Sequence, residues 1–242
     1  MMKMKSLAET ATILILAGNL LAGENSQLAA NLKAGKPQTI VTYGTSLTAA
    51  GAPWVSQLQQ VLKADYPGLA TVINSGGSGQ WSQWGVSNLD TRVIAKKPDT
   101  VFIEFGINDA VVRFNCTVDQ SRSNLTNMVD RILSSKPDAE IILMTMNPAI
   151  GDRAISRPRL KDYYQMYRDV ARERKLKLID HYANWELILG QDKALFSRYV
   201  PDDLHPGPEG CKNVITPAIL KALGINADQP AAGDTAPRAP AP

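Results

Sequence analysis

Histidine occurs only twice in the 242 residues, at His181 and His205, and cysteine only twice, at Cys116 and Cys211. With no CxxC pair and no His-rich stretch, the chain lacks the donor spacing of a structural zinc site. Two cysteines permit at most one disulfide, and the sequence leaves open whether Cys116 and Cys211 are joined or stand as free thiols. Concentrated charge of one sign is also missing. The formal net charge is +3, and the densest basic group (Arg168, Arg172, Arg174, Lys175 and Lys177) is interleaved with Asp162, Asp169, Glu173 and Asp180. Such a pattern reads as a solvated helix face and argues against nucleic acid as a partner. No apolar run is long enough to span a bilayer. The stretch 11–22 (ATILILAGNLLA), preceded by Lys3 and Lys5, suits the core of a signal peptide cleaved just after Ala22. The expectation is a signal peptide over 1–22 and a secreted or periplasmic protein, the alternative being an amphipathic first helix and a cytoplasmic protein, with no stable membrane association in either case. There is no internal repeat and no long apolar insertion of the kind that makes a lid.

Five short apolar runs are present instead: 39–43 (TIVTY), 71–74 (TVIN), 100–105 (TVFIEF), 140–146 (EIILMTM) and 176–180 (LKLID). Their nearly continuous apolar character is that of strands buried on both faces. Amphipathic stretches follow them at 53–66, 82–96, 118–134 and 159–174, with shorter helical pieces and a last helix at 208–222 after the fifth run. Pro67-Gly68, Pro98-Asp99 and Pro137-Asp138 mark the returns from helix to strand. This alternation predicts one α/β domain over 23–226, a parallel sheet between two helical layers. The Ala/Pro-rich segment 227–242 is expected to be a disordered tail.

In such a sheet, ligands bind beyond the carboxyl ends of the strands. The residues expected there are Gly44-Thr45-Ser46-Leu47-Thr48, the glycine loop from Ser75 to Gly79, Gly106-Ile107-Asn108-Asp109, Asn147-Pro148 and His181-Tyr182, joined by Asp202-Asp203-Leu204-His205-Pro206. Ser46 is the candidate nucleophile. A serine hydroxyl is weak at neutral pH and needs a base. His205 is the favoured base because Asp202, three residues earlier, can accept from one imidazole nitrogen and leave the other free for Ser46. His181 competes, but Asp180 next to it should point to the opposite face of its strand. Gly76 and Asn108, with the Ser46 N–H, would supply donors to an oxyanion. Singly, each has a plain structural explanation: a serine cap, a glycine turn, an Asx turn. Together, all fall at one edge of the sheet.

Four blocks in this order carry a resemblance: Gly44-Thr45-Ser46-Leu47-Thr48, Asn74-Ser75-Gly76, Gly106-Ile107-Asn108-Asp109 and Asp202-Asp203-Leu204-His205-Pro206. From about residue 38 to 220 the chain resembles the SGNH hydrolases, the GDSL-type esterases and lipases. The resemblance implies a three-layer, flavodoxin-like α/β/α sandwich with a five-stranded parallel sheet. It implies Ser46 as nucleophile, His205 as base, Asp202 as its orienting acid, and Ser46 N–H, Gly76 N–H and the Asn108 side chain as oxyanion donors. It implies neither metal nor organic cofactor. Thr45 departs from the family's aspartate, outside the triad. The absence of a Gly-x-Ser-x-Gly elbow argues against the α/β-hydrolase fold. Trp81, after the glycine loop, is a candidate to stack on a sugar, whereas Trp84 reads as a core anchor. The expected substrate is an acylated small molecule or polysaccharide, foremost an acetylated carbohydrate. The alternatives are a broad short-chain carboxylesterase or lysophospholipase-like lipase, and a non-catalytic carbohydrate-binding protein on the same fold. The last is disfavoured because all five site positions are filled.

Overall fold

The β-branched runs become strands because their side chains fill both sides of one sheet. In the computed structural model, which describes residues 26–225, these are β1 (Gln38–Gly44), β2 (Ala70–Asn74), β3 (Thr100–Glu104), β4 (Glu140–Thr145) and β5 (Lys177–Asp180). All pair in parallel, in the order β2-β1-β3-β4-β5. The expected signal peptide and tail lie outside the described residues. Register sets the faces. Val41 pairs with Val101 and Val101 with Ile141, and all three pack into one hydrophobic cluster. Their neighbours Ile40, Phe102 and Ile142 enter the other. Strand alternation thus builds two cores from one sheet.

Helices α1 (Gln27–Lys33), α2 (Pro53–Asp65), α8 (His181–Gln191), α9 (Lys193–Tyr199) and α11 (Thr216–Leu223) cover the Phe102 face. Helices α3 (Ser82–Arg92), α5 (Val118–Ser135) and α7 (Leu160–Arg174) cover the other. Short helices α4 (Gly106–Asp109), α6 (Gly151–Ile155) and α10 (Pro208–Gly210) lie in the loops that follow the strands or lead into the last helix. Among the described residues no helix is long and apolar enough to cross a membrane.

Two boundaries differ from the sequence expectation. The helix expected over 82–96 ends at Arg92, with a 3-10 turn at Ile94–Lys96 and Lys97 in the left-handed region at φ 50°. The last helix is interrupted by a π turn over Cys211–Ile215. Pro217 cannot donate to the carbonyl four residues back and its ring crowds that carbonyl, so the helix is widened just before it.

Because β1 lies between β2 and β3, the chain leaves β1 in one direction for β2 and then crosses back to β3. The sheet's switch point is therefore the gap between the carboxyl ends of β1 and β3, where a crevice must open. Phe102 anchors this centre: it is fully buried and meets the Trp54 ring edge-on at 6.0 Å. Phe102→Ala should destabilise the protein by about 3–5 kcal/mol, read as a lower urea midpoint with an unchanged slope.

Candidate active site

The loop leaving β1 is held from both sides. Glu104, the last residue of β3, is fully buried and accepts from the Thr45 N–H (2.7 Å), the Thr45 hydroxyl (3.0 Å) and the Thr48 hydroxyl (2.7 Å). A Cβ at Gly44 would collide with the Glu104 carboxyl, so only glycine admits this approach. The Thr45 hydroxyl also accepts from the Leu47 N–H at 3.2 Å, and the Trp54 indole donates to the Leu47 carbonyl at 2.7 Å. Ser46 is the residue left to project. With threonine at 45 rather than an acid, Glu104 meets a hydroxyl donor instead of a second carboxylate.

The Ser46 Oγ lies 2.8 Å from His205 Nε2. His205 Nδ1 lies 2.6 Å from Asp202 Oδ2, and the His205 and Leu204 N–H groups both donate to Asp202 Oδ1, at 2.6 and 3.2 Å. Partial burial works to raise the Asp202 pKa, but these bonds outweigh it and hold the carboxyl below its ordinary range. Asp203 turns the chain with φ 66°, a left-handed residue between acid and imidazole. The turn is pinned by the loop after β4: the Asn147 amide donates to the Leu204 carbonyl (2.9 Å), and the Ile150 N–H to the Asp203 carbonyl (3.1 Å). Asn147 is completely buried.

The other histidine is elsewhere. His181 is fully buried, and burial pushes its pKa down to about 4, so it is neutral at physiological pH. Asp180 bonds Thr145 and Arg168 rather than His181. Cys116 and Cys211 are free thiols, each buried and pushed up to about 12 by that burial.

The expected oxyanion donors are placed unequally. The Ser46 N–H makes no hydrogen bond to the described residues. Asn108 Nδ2 donates to the Gln80 carbonyl at 2.8 Å, which brings the end of the glycine loop against Asn108. The Gly76 N–H, by contrast, is committed to Asn74 Oδ1 at 3.0 Å, and Gly76 is wedged against the backbone of Thr48 and Ala49. The glycine of this loop whose N–H bonds none of the described residues is Gly79, which adopts φ 71° next to Gln80. The glycine count of the loop did not distinguish them; the Asn74 side chain does. Asp109, given no role by the sequence, accepts from the first N–H of α3 (Ser82, 2.8 Å) and from the Ser121 hydroxyl of α5, and so locks the Asn108 turn to both helices.

Trp84 packs between Tyr43 and Phe105 with Arg92 over its ring, as a core anchor. Trp81 stacks on Phe114 at 5.2 Å and 13°. It does not line the cavity of about 380 Å³ beside Ser46 and His205, whose walls include Leu47, Trp54, Pro206 and Ile215.

Comparison with known proteins covers the span that holds these residues. Residues 41–212 match the GDSL-like lipase/acylhydrolase family. The chain is 29% identical over 192 residues to an acetylxylan esterase of Geobacillus stearothermophilus, covering 74% of this chain and 84% of that protein. It is 26% identical over 177 residues to an arylesterase of Vibrio mimicus, covering 71% and 82%. The Geobacillus acetylxylan esterase Axe2, solved as a catalytic serine-to-alanine mutant, superposes with a TM-score of 0.69 at 25% identity, over 81% of this chain and 98% of that one.

Burial of Glu104 has a measurable consequence. Desolvation raises its pKa from 4.5 to about 7, against the opposing hydrogen bonds. The folded state then binds more protons than the unfolded one between those values, so this group's contribution to stability falls as pH rises through the window, by at most about 1.4 kcal/mol per pH unit. His181 has the opposite sign: its pKa is lowered from 6.5, and it destabilises the fold as pH falls toward 4. Glu104→Gln removes only the first effect. Urea denaturation from about pH 5 to 7 should show the wild type losing stability relative to Glu104→Gln; parallel pH profiles would refute the assignment.

Proposed function

The chain belongs to the GDSL-like lipase/acylhydrolase family and is a carboxylic ester hydrolase of its SGNH type, and from that premise we propose that it removes short acyl groups, acetyl foremost, from esterified carbohydrate. One observation carries the chemistry: the continuous row from Ser46 Oγ through the His205 ring to Asp202, with contacts of 2.8 and 2.6 Å. The Ser46 oxygen attacks the ester carbonyl carbon while its proton passes to His205 Nε2. The carbonyl oxygen, now anionic, takes hydrogen bonds from the Ser46 N–H, the free hydrogen of Asn108 Nδ2 and a glycine-loop N–H. Gly76 can serve only if Asn74 releases it; Gly79 needs no such release. Collapse expels the alcohol, protonated by His205, and leaves an acyl-serine. Water then attacks the acyl carbon, its proton goes to His205, and the carboxylic acid leaves as Ser46 recovers its proton.

Asp202 holds the imidazole so that Nε2 faces the serine, and stabilises the imidazolium formed in each half-reaction. The acetyl-carbohydrate substrate is supported by the similarity to an acetylxylan esterase over most of the chain. A broader short-chain carboxylesterase is the second reading. Its support is the largely apolar cavity beside Ser46, and an arylesterase among the relatives. Export from the cytoplasm is supported by the signal-like composition of residues 11–22.

Ser46→Ala should lower kcat by roughly 10⁴-fold or more with an unchanged melting temperature. Asp202→Asn should lose less. Unchanged turnover in Ser46→Ala would end the mechanism. Acetate release from acetylated xylooligosaccharides should exceed hydrolysis of p-nitrophenyl esters as their chains lengthen; preference for acyl chains of eight carbons or more would overturn the acetyl reading.

A further inference from the structure

Arg157 lies two residues beyond α6 and is only 8% exposed. A buried guanidinium ordinarily has a carboxylate partner. Arg157 has none among the described residues. Its acceptors are all neutral: Nε donates to the Ile107 carbonyl (2.9 Å), Nη1 to the Arg153 carbonyl and the Ser156 hydroxyl (both 3.0 Å), and Nη2 to Asn108 Oδ1 (3.3 Å). Two of these four bonds fall on consecutive residues of the turn that ends β3.

The consequence for Asn108 is directional. A guanidinium can only donate and a backbone carbonyl can only accept. Asn108 stands between one of each, Arg157 on its oxygen and the Gln80 carbonyl on its nitrogen. Its amide therefore cannot flip. Nδ2 keeps one hydrogen on the Gln80 carbonyl and has its second bonded to none of the described residues, and the positive charge behind Oδ1 polarises the amide toward stronger donation.

We propose that Arg157 is a positioning residue for the oxyanion, fixing the orientation of the Asn108 amide and strengthening its N–H donation through the guanidinium charge. This rests on Asn108 acting as an oxyanion donor. Charge gathers on the carbonyl oxygen only in the transition state, so the effect falls on kcat and leaves KM nearly unchanged.

The test is a double-mutant cycle with p-nitrophenyl acetate on Arg157→Ala, Asn108→Ala and the pair, each checked for folding by thermal melt. Arg157→Ala should lower kcat by about 10- to 100-fold, less than loss of the donor itself. In the Asn108→Ala background the same substitution should cost nothing further. Added guanidinium ion should restore part of the activity of Arg157→Ala and none of the double variant. Equal losses in both backgrounds, or a folded Arg157→Ala with wild-type kcat, would overturn the proposal while leaving the Asn108 assignment intact. A wild-type kcat in Asn108→Ala would sink that assignment itself. If Arg157→Ala does not fold, Arg157→Lys answers the question. A single ammonium cannot hold Ile107 and Asn108 together, so kcat should fall, and wild-type kcat would again overturn the proposal.

Discussion

Glu104 sits at the carboxyl end of β3 with no cation against it among the described residues, and grips the loop at the end of β1 through hydrogen bonds from three donors. Much of the site's geometry descends from that contact. The two strands are neighbours because the chain reverses direction across the sheet between them. Their ends are close enough for one carboxyl to bridge only because Gly44 offers no side chain. The bridged loop is short and doubly held, so Ser46 is presented without freedom to retreat. A buried carboxyl whose pKa desolvation pushes up to about 7 is a costly fastener. It persists because its hydrogen-bond donors hold it in place, and Thr45 makes that arrangement simpler by replacing an acid with a hydroxyl.

The loop after β4 supplies a second layer of control. Asn147 and Ile150 hold the turn that carries His205, and Arg157, a few residues on, holds the turn that carries Asn108. A single segment thus touches both the imidazole side and the oxyanion side of the crevice. None of its residues need meet substrate, yet each fixes a group that does in the proposed mechanism. Such outer partners matter because catalytic groups must be held within fractions of an ångström of their working geometry.

The architecture was legible in the sequence because strands buried on both faces announce themselves. All five runs became strands, with bounds moved by at most one residue, as at Phe105, which leaves the extended conformation to cap α4. Less legible were features that depend on distant contacts. Helix α1 is too short for its pattern to stand out, and the π turn before Pro217 is a local accommodation that periodicity does not register. Trp81 carried a stacking signal and does stack on a ring, that of Phe114, outside the lining of the cavity of about 380 Å³.

What the sequence by itself determined was chemical inventory and order along the chain: one serine after the first strand, an aspartate three residues before one of only two histidines, and an asparagine after the third strand. Those are properties of residue type and spacing, and spacing suffices where partners lie within one turn, as Asp202 and His205 do. Only the tertiary structure decided which glycine N–H is free, that His181 is sealed in the core, and that Arg157 stands behind Asn108. Each of those outcomes turns on which side chain from a remote strand end fills a given few ångströms, and chain separation carries no information about that.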